Sequence, residues 1–189
     1  MGDTQNLLDA TLEDGKYLEG MTRNVENLAS IFPGIATALA VKFESLITKI
    51  DSIQVVSQAY KAMFLLVNAG DISFYGPAGR YAMLYNEFGF DAADDNTSEG
   101  GSHGNVVTYE YVTTKNPEII FLLDRGAAIG EEVTLDDVKN NAAIMATNAG
   151  QNQRVYDLSP SAWYLLTGGF TSTEVMISDF DEFIISHTE

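Results

Sequence analysis

The chain has 189 residues, with 27 Asp and Glu against 10 Lys and Arg, a formal charge of −17 and no cysteine. That charge argues against nucleic acid as a partner, because affinity for phosphate backbones comes mostly from Lys and Arg, and the lack of thiols excludes disulfides and thiolate metal sites. No run approaches the roughly 18 apolar residues of a membrane span, while a hydrophobic content of 46% is enough for one globular domain with an appendage.

Residues 1–14 are polar and without a period; MGDTQNLLD is not a signal peptide, so an exported protein would have lost its leader from this chain. Leu18, Met21, Val25, Leu28 and Ile31 recur at three- and four-residue steps and predict an amphipathic helix over 16–31, closed by Pro33-Gly34. A longer helix is expected over 36–62, with Leu39, Phe43, Leu46, Ile50, Ile53, Val56 and Tyr60 as its stripe. At 1.5 Å per residue it would span roughly 40 Å. The heptad-like stripe stops after about three heptads, which fits a helix laid across a domain better than a coiled-coil seam.

From residue 63 the pattern changes. Met63-Phe64-Leu65-Leu66-Val67 reads as a strand buried on both faces, residues 72–75 as a short second strand, and Tyr81, Leu84, Tyr85 and Phe88 as a helix from about Arg80 to Gly89. Beyond an acidic loop, residues 108–115 look helical, residues 118–124 (EIIFLLD) form a second buried strand, and residues 153–159 a third. Thr134 with Asp137, and Thr171 with Glu174, resemble capping boxes, the latter opening a last helix with Met176, Phe180, Phe183 and Ile184 on its inner face. Strands alternating with helices imply an α/β fold with right-handed crossovers and a mainly parallel sheet, whose ligands bind beyond the carboxyl ends of the strands. Arg80, His103, Arg125 and Tyr164 all follow strands, which would put four candidate ligand groups on one rim.

Each of the four has an ordinary reading beside the functional one. Arg80 follows two glycines in GPAGR, where a helix start would add positive charge for an anion, but it could simply pair with a carboxylate. Arg125 in FLLDRGAA suits a planar oxygen ligand, or could be held by Asp124. His103 in GGSHGN is a lone imidazole in a glycine-flanked loop, and the preceding Asp91, Asp94, Asp95 and Glu99 do not have EF-hand spacing. Tyr164, with Trp163 packing beneath it, is core or a phenol able to reach a hard cation. No nucleophile elbow, Ser-His-Asp pattern or GxGxxG occurs, leaving a metal-dependent hydrolase or phosphatase built on Asp94 and Asp95 as a weak rival.

Six ordered blocks, YLEGMTRNVENLASIF, FLLVNAGDISFYGPAGR, FGFDAADD, SHGNVVTYEYV, KNPEIIFLLDRGAAIG and SPSAWYLLTGGFTST, resemble the siderophore-binding lipoproteins of bacterial iron ABC importers, of the ferric catecholate type. The resemblance covers about residues 15–185. It implies a class III periplasmic-binding-protein fold: residues 1–35 as the remnant of an N-terminal lobe that is otherwise missing, 36–62 as the linking helix, and 63–189 as a three-layer α/β/α ligand-binding lobe.

It further implies a non-enzymatic component, without intrinsic cofactor, that captures ferric siderophore and delivers it to ABC permease subunits from the periplasm or as a cell-surface lipoprotein. Arg80 and Arg125 match arginines that neutralise the anionic ferric complex; His103 and Tyr164 match a His and a Tyr that can complete coordination of Fe(III); and Trp163 accompanies them as ligand-binding. GPAGR in place of the more usual Ser before Arg, and SHGN in place of HGQ, depart from the family pattern. The apolar stripes of the first two helices need cover, so a homodimer through them, or helices folded back on the sheet, is expected. The rival from another class is a truncated lobe that binds no siderophore and acts as a self-associating interaction module.

Overall fold

The computed structural model describes residues 16–94, 104–131, 135–166 and 168–188. At its centre lie β1 (Lys61–Asn68) and β5 (Ile119–Asp124), parallel and in register from Ala62 opposite Ile119 to Val67 opposite Asp124. Their apolar runs have no polar face because helices cover both sides. Phe64, Leu66, Phe121 and Leu123 feed one core, while Met63, Leu65, Val67, Ile120 and Leu122 feed the other.

Around that pair the sheet runs β4-β2-β1-β5-β6, with β2 Asp71–Tyr75, β4 Asn105–Val107 and β6 Val155–Asp157; the two-residue β3, Asp91–Ala92, pairs with the start of β1. It is a mixed sheet. β3, β1, β5 and β6 are parallel, whereas β2 is antiparallel to both β1 and β4. The β1–β2 hairpin turns on Ala69 and Gly70, with φ of 51° and 87°, the left-handed pair that matches the twist of the strands.

One layer holds α1 (Tyr17–Ile31), α2 (Ala36–Ser57) and the C-terminal helices α9 (Pro160–Tyr164), α10 (Phe170–Ser178) and α11 (Asp181–Thr188). The other holds α4 (Tyr109–Lys115), α6 (Leu135–Lys139), α7 (Ala142–Met145) and α8 (Asn148–Gln151). Both long helices are folded back in part. Tyr17 and Met21 of α1 and Leu46, Ile50 and Ile53 of α2 are in the core, and the Tyr17 hydroxyl meets Thr173 Oγ1 at 2.7 Å. Leu28, Ile31, Phe32, Ile35 and Val41 stay exposed around the elbow between them.

Several expected boundaries move, each for a local reason. α2 stops at Ser57 because the next residues serve the sheet: Tyr60 O accepts from Asp91 N and Lys61 O from Glu118 N. The helix expected over 80–89 is reduced to α3, Met83–Asn86. Tyr81 through Tyr85, together with Phe88, are all buried, so this segment has no exposed face to give an amphipathic helix its repeat. The expected last helix is broken at Asp179-Phe180, and its start is capped by Ser172 Oγ, which accepts from Gly169 N, rather than by a Thr171–Glu174 box. Thr134 lies outside the described residues.

Candidate functional site

Three parallel strands, β1, β5 and β6, deliver their carboxyl ends to one rim, and the polar groups there contact one another. α5 (Arg125–Ile129) starts directly after β5, and the Asp124 carboxylate accepts from Ala127 N as its cap. Arg125 then extends across the rim. Its Nε–H donates to Tyr164 Oη at 3.0 Å and an Nη1–H to Asn68 Oδ1 at 3.0 Å, Asn68 being the last residue of β1. The bond to Tyr164 Oη raises the Arg125 pKa beyond its ordinary value.

Arg80 approaches from the other side. β2 runs against β1, so its carboxyl end does not point to this rim; the turn over residues 76–82, with Gly79 N bonded to Gly76 O, brings the chain back. Two residues separate Arg80 from α3, and α3 is a single turn, so the expected helix-terminus charge beside Arg80 is not available. Its Nη2–H donates to Tyr164 O at 2.6 Å, and its Cζ stands 4.8 Å from the centre of the Tyr164 ring and 5.4 Å from that of Tyr81. Arg80 Nε is buried and has no hydrogen-bond partner among the described residues.

Tyr164 is therefore the hub. The Arg125 Cζ lies 5.8 Å from its ring centre and the Arg80 Cζ 4.8 Å, so the two guanidinium carbons stand no more than about 11 Å apart. Among the described residues neither guanidinium has a carboxylate within 4.0 Å, although acidic groups outnumber basic ones 27 to 10 in this chain. Arg80 is held by π-faces and a carbonyl, which position a cation while leaving its charge uncancelled. Tyr75 and Tyr81 complete its surroundings, edge-on to each other at 4.8 Å, and burial raises both phenol pKa values while Arg80 opposes the shift.

Trp163, expected beneath Tyr164 and among the ligand-binding residues, lies in the core. It is fully buried, with Phe64 at 5.8 Å and Phe88 at 6.1 Å, and its Nε1–H donates to Asp179. In this conformation it supports α9 from below and has no surface to offer a ligand. His103 lies outside the described residues; its chain neighbour Gly104, at φ +67°, is seated against the Tyr75 ring. Asp94 is buried and held by Tyr111 Oη and by Lys115 Nζ at 3.0 Å. Among the described residues no group of three or more His, Cys, Asp and Glu is placed to hold a metal ion. Sequence reading missed Asn68, Tyr75 and Tyr81; Asn68, at the end of a buried strand and before a glycine turn, had the clearest available signal.

The α/β arrangement, a mixed sheet with helices on both faces, is that of the class III periplasmic binding proteins. The chain belongs to the periplasmic binding protein family, whose model matches residues 36–162. It is 32% identical over 174 residues to the petrobactin-binding protein YclQ of Bacillus subtilis, covering 89% of this chain and 53% of that one. It is 25% identical to the ferric-anguibactin-binding protein FatB of Vibrio anguillarum, covering 91% and 54%. The crystal structure of YclQ superposes with a TM-score of 0.84 at 30% identity over 92% of this chain and 61% of that one. That of the periplasmic catecholate-siderophore binding protein VctP of Vibrio cholerae does so at 0.83 and 26%, over 90% and 62%. The chain spans about half the length of the curated relatives it matches.

Proposed function

We propose that this chain captures a ferric siderophore of the catecholate class, as the substrate-binding component of an ABC importer that hands the complex to a membrane permease on the extracytoplasmic side. The observation that carries this reading is the pair of guanidinium groups, Arg80 and Arg125, flanking Tyr164 with no carboxylate within 4.0 Å among the described residues. A ferric tetradentate catecholate is an anion with its charge spread over planar oxygen ligands, which suits guanidinium. Its iron arrives already chelated, and a phenol oxygen is a hard donor for a position the chelator leaves open. The roles of Tyr164 and His103 as donors to that iron are part of the proposal, as is a binding role without catalysis or intrinsic cofactor. So is the division into residues 1–35, 36–62 and 63–189.

The test is a titration with the ferric complex of a bis(catecholamide), following the visible ligand-to-metal band and the emission of Trp163. Tyr164→Phe is expected to shift the band and to weaken binding by roughly tenfold, since it removes one donor and the acceptor of Arg125 Nε–H. Unchanged band and affinity in Tyr164→Phe would rule out its phenol as a ligand.

A second reading, self-association without ligand, is favoured by the elbow. Residues 27–41 contain no charged side chain, and Ile31, Phe32 and Ile35 are 66%, 54% and 47% exposed. They stand beside an apolar groove of about 400 Å³ lined by Met21, Val25, Leu28, Ile31 and Phe170. The occupant proposed is a second copy. Two copies at −17 repel generally, but residues 27–41 bring no charge of their own, the nearby Lys42 is paired with Glu174 at 3.7 Å, and a knuckle beside a groove can be self-complementary about a two-fold axis. Sedimentation is expected to show mass rising with concentration, and Phe32→Glu to abolish the rise. A wild-type monomer at about 100 µM, well above a micromolar dissociation constant, would remove this reading.

A further inference from the structure

The contacts that hold Tyr164 lead from the rim to a buried carboxylate. Asp179 sits in the break between α10 and α11 and accepts three hydrogen bonds from the segment that carries Tyr164. Ser159 N donates to Oδ2 at 2.8 Å, Ser159 Oγ to Oδ1 at 2.6 Å, and Trp163 Nε1 to Oδ2 at 2.8 Å. These donors bracket α9, one just before its first residue and the other next to Tyr164.

Helix α9 has five residues, too few to persist on its own hydrogen bonds. Ser159 occupies its N-cap position, yet no side chain caps the helix, because the Ser159 hydroxyl is turned to Asp179. A local preference is thus overridden by a tertiary contact, the pattern expected where placement matters. Among the described residues no cation lies within 4.0 Å of Asp179. Burial pushes its carboxyl above the usual range, while the bonds from Ser159 and Trp163 pull it back down.

We propose that Asp179 is a positioning residue of the anion site: by clamping both ends of α9 it sets where Tyr164 stands between the two guanidinium groups. The inference rests on the binding function proposed above, but one of its readouts needs no ligand. In the whole chain, solvent exchange of the Arg125 Nε–H, assigned by its loss in Arg125→Lys, reports the bond to Tyr164 Oη by nitrogen-15 NMR. Asp179→Asn and the milder Ser159→Ala, which removes one of the three bonds, are compared with Val138→Ala, a core truncation on the opposite face of the sheet.

Ser159→Ala is expected to speed that exchange and to weaken binding of a ferric bis(catecholamide), each by roughly fivefold, and Asp179→Asn to do both by more than tenfold. Val138→Ala is expected to lower the melting temperature without either effect. Exchange and affinity unchanged in Ser159→Ala, or changed equally in Val138→Ala, would overturn the proposal and leave Asp179 as a core clamp; this holds even if Asp179→Asn does not fold. If the wild-type chain binds no ferric complex, the functional reading fails while the exchange measurement still decides the placement of Tyr164.

Discussion

Arg80→Met is expected to weaken binding of a ferric bis(catecholamide) by about 100-fold, close to 2.7 kcal/mol, while the melting temperature hardly moves. At 4 Å and an effective dielectric of 20, one charge pair is worth around 4 kcal/mol before desolvation. Arg80 reaches a ligand with its charge intact, having no carboxylate within 4.0 Å among the described residues. The folded chain gains little from it. Losing the bond to Tyr164 O and the contacts with Tyr81 and Tyr164 costs about 1–3 kcal/mol, which is offset by release of a buried Nε–H whose desolvation costs a similar amount. Methionine fills the space of the stem. A fall in melting temperature with affinity unchanged would make Arg80 a structural residue and remove the main support for the site.

Gly104→Ala is expected to cost about 2–4 kcal/mol of stability, adding left-handed strain to overpacking. Gly104 has φ +67°, and a Cβ there would come within 2.6 Å of the Tyr75 ring. That ring cannot yield easily. It is 5% exposed and meets Phe64 and Tyr81 edge-on at 6.0 and 4.8 Å. Since Tyr81 bears on Arg80, displacing Tyr75 disturbs the cation as well, and weaker binding should accompany the loss of stability. Gly130→Ala is the control, because Gly130 has φ +81° with nothing within 4 Å of its added Cβ; it should show only the backbone part, about 1 kcal/mol. Equal shifts in the urea midpoint for both variants would mean that the Tyr75 contact contributes nothing.

The parts of this fold that the sequence made legible are those where burial has a simple period. β1 and β5 appear as unbroken apolar runs because both faces are covered, and the α1 and α2 stripes because one face is. Residues 81–88 misled for the opposite reason: buried nearly all round, they show an apolar density that resembles a helix and folds as turns with a single helical turn between them. The antiparallel β4 is three residues long, too short for any alternation to register.

At the site, Arg80 and Arg125 stood out as cations in an acidic chain, and the alternation of strands and helices put them on one rim with Tyr164, but nothing in the sequence showed that both would contact that tyrosine. Asn68 is marked locally only by its place between a buried strand and a glycine turn, and Asp179 carries no local mark; both act across sequence separations that periodicity does not sense: Asn68 meets Arg125, and Asp179 meets Ser159 and Trp163. An aromatic beside a tyrosine, as Trp163 is beside Tyr164, looks the same in sequence whether it faces the rim or the core.

The central claim is that two guanidinium groups, neither with a carboxylate within 4.0 Å among the described residues, read the charge of a chelated ferric ion. It is tested most directly by comparing the affinity of the wild-type chain for a bis(catecholamide) with and without Fe(III) at pH 7. The free chelator is protonated and neutral there, whereas its ferric complex carries a net negative charge on the same organic frame. Preference for the ferric complex by about 100-fold or more, or roughly 2.7 kcal/mol, falling steeply in Arg80→Met/Arg125→Met, is the expected result. Equal affinity for the two forms, or a preference that survives loss of both arginines, would contradict it.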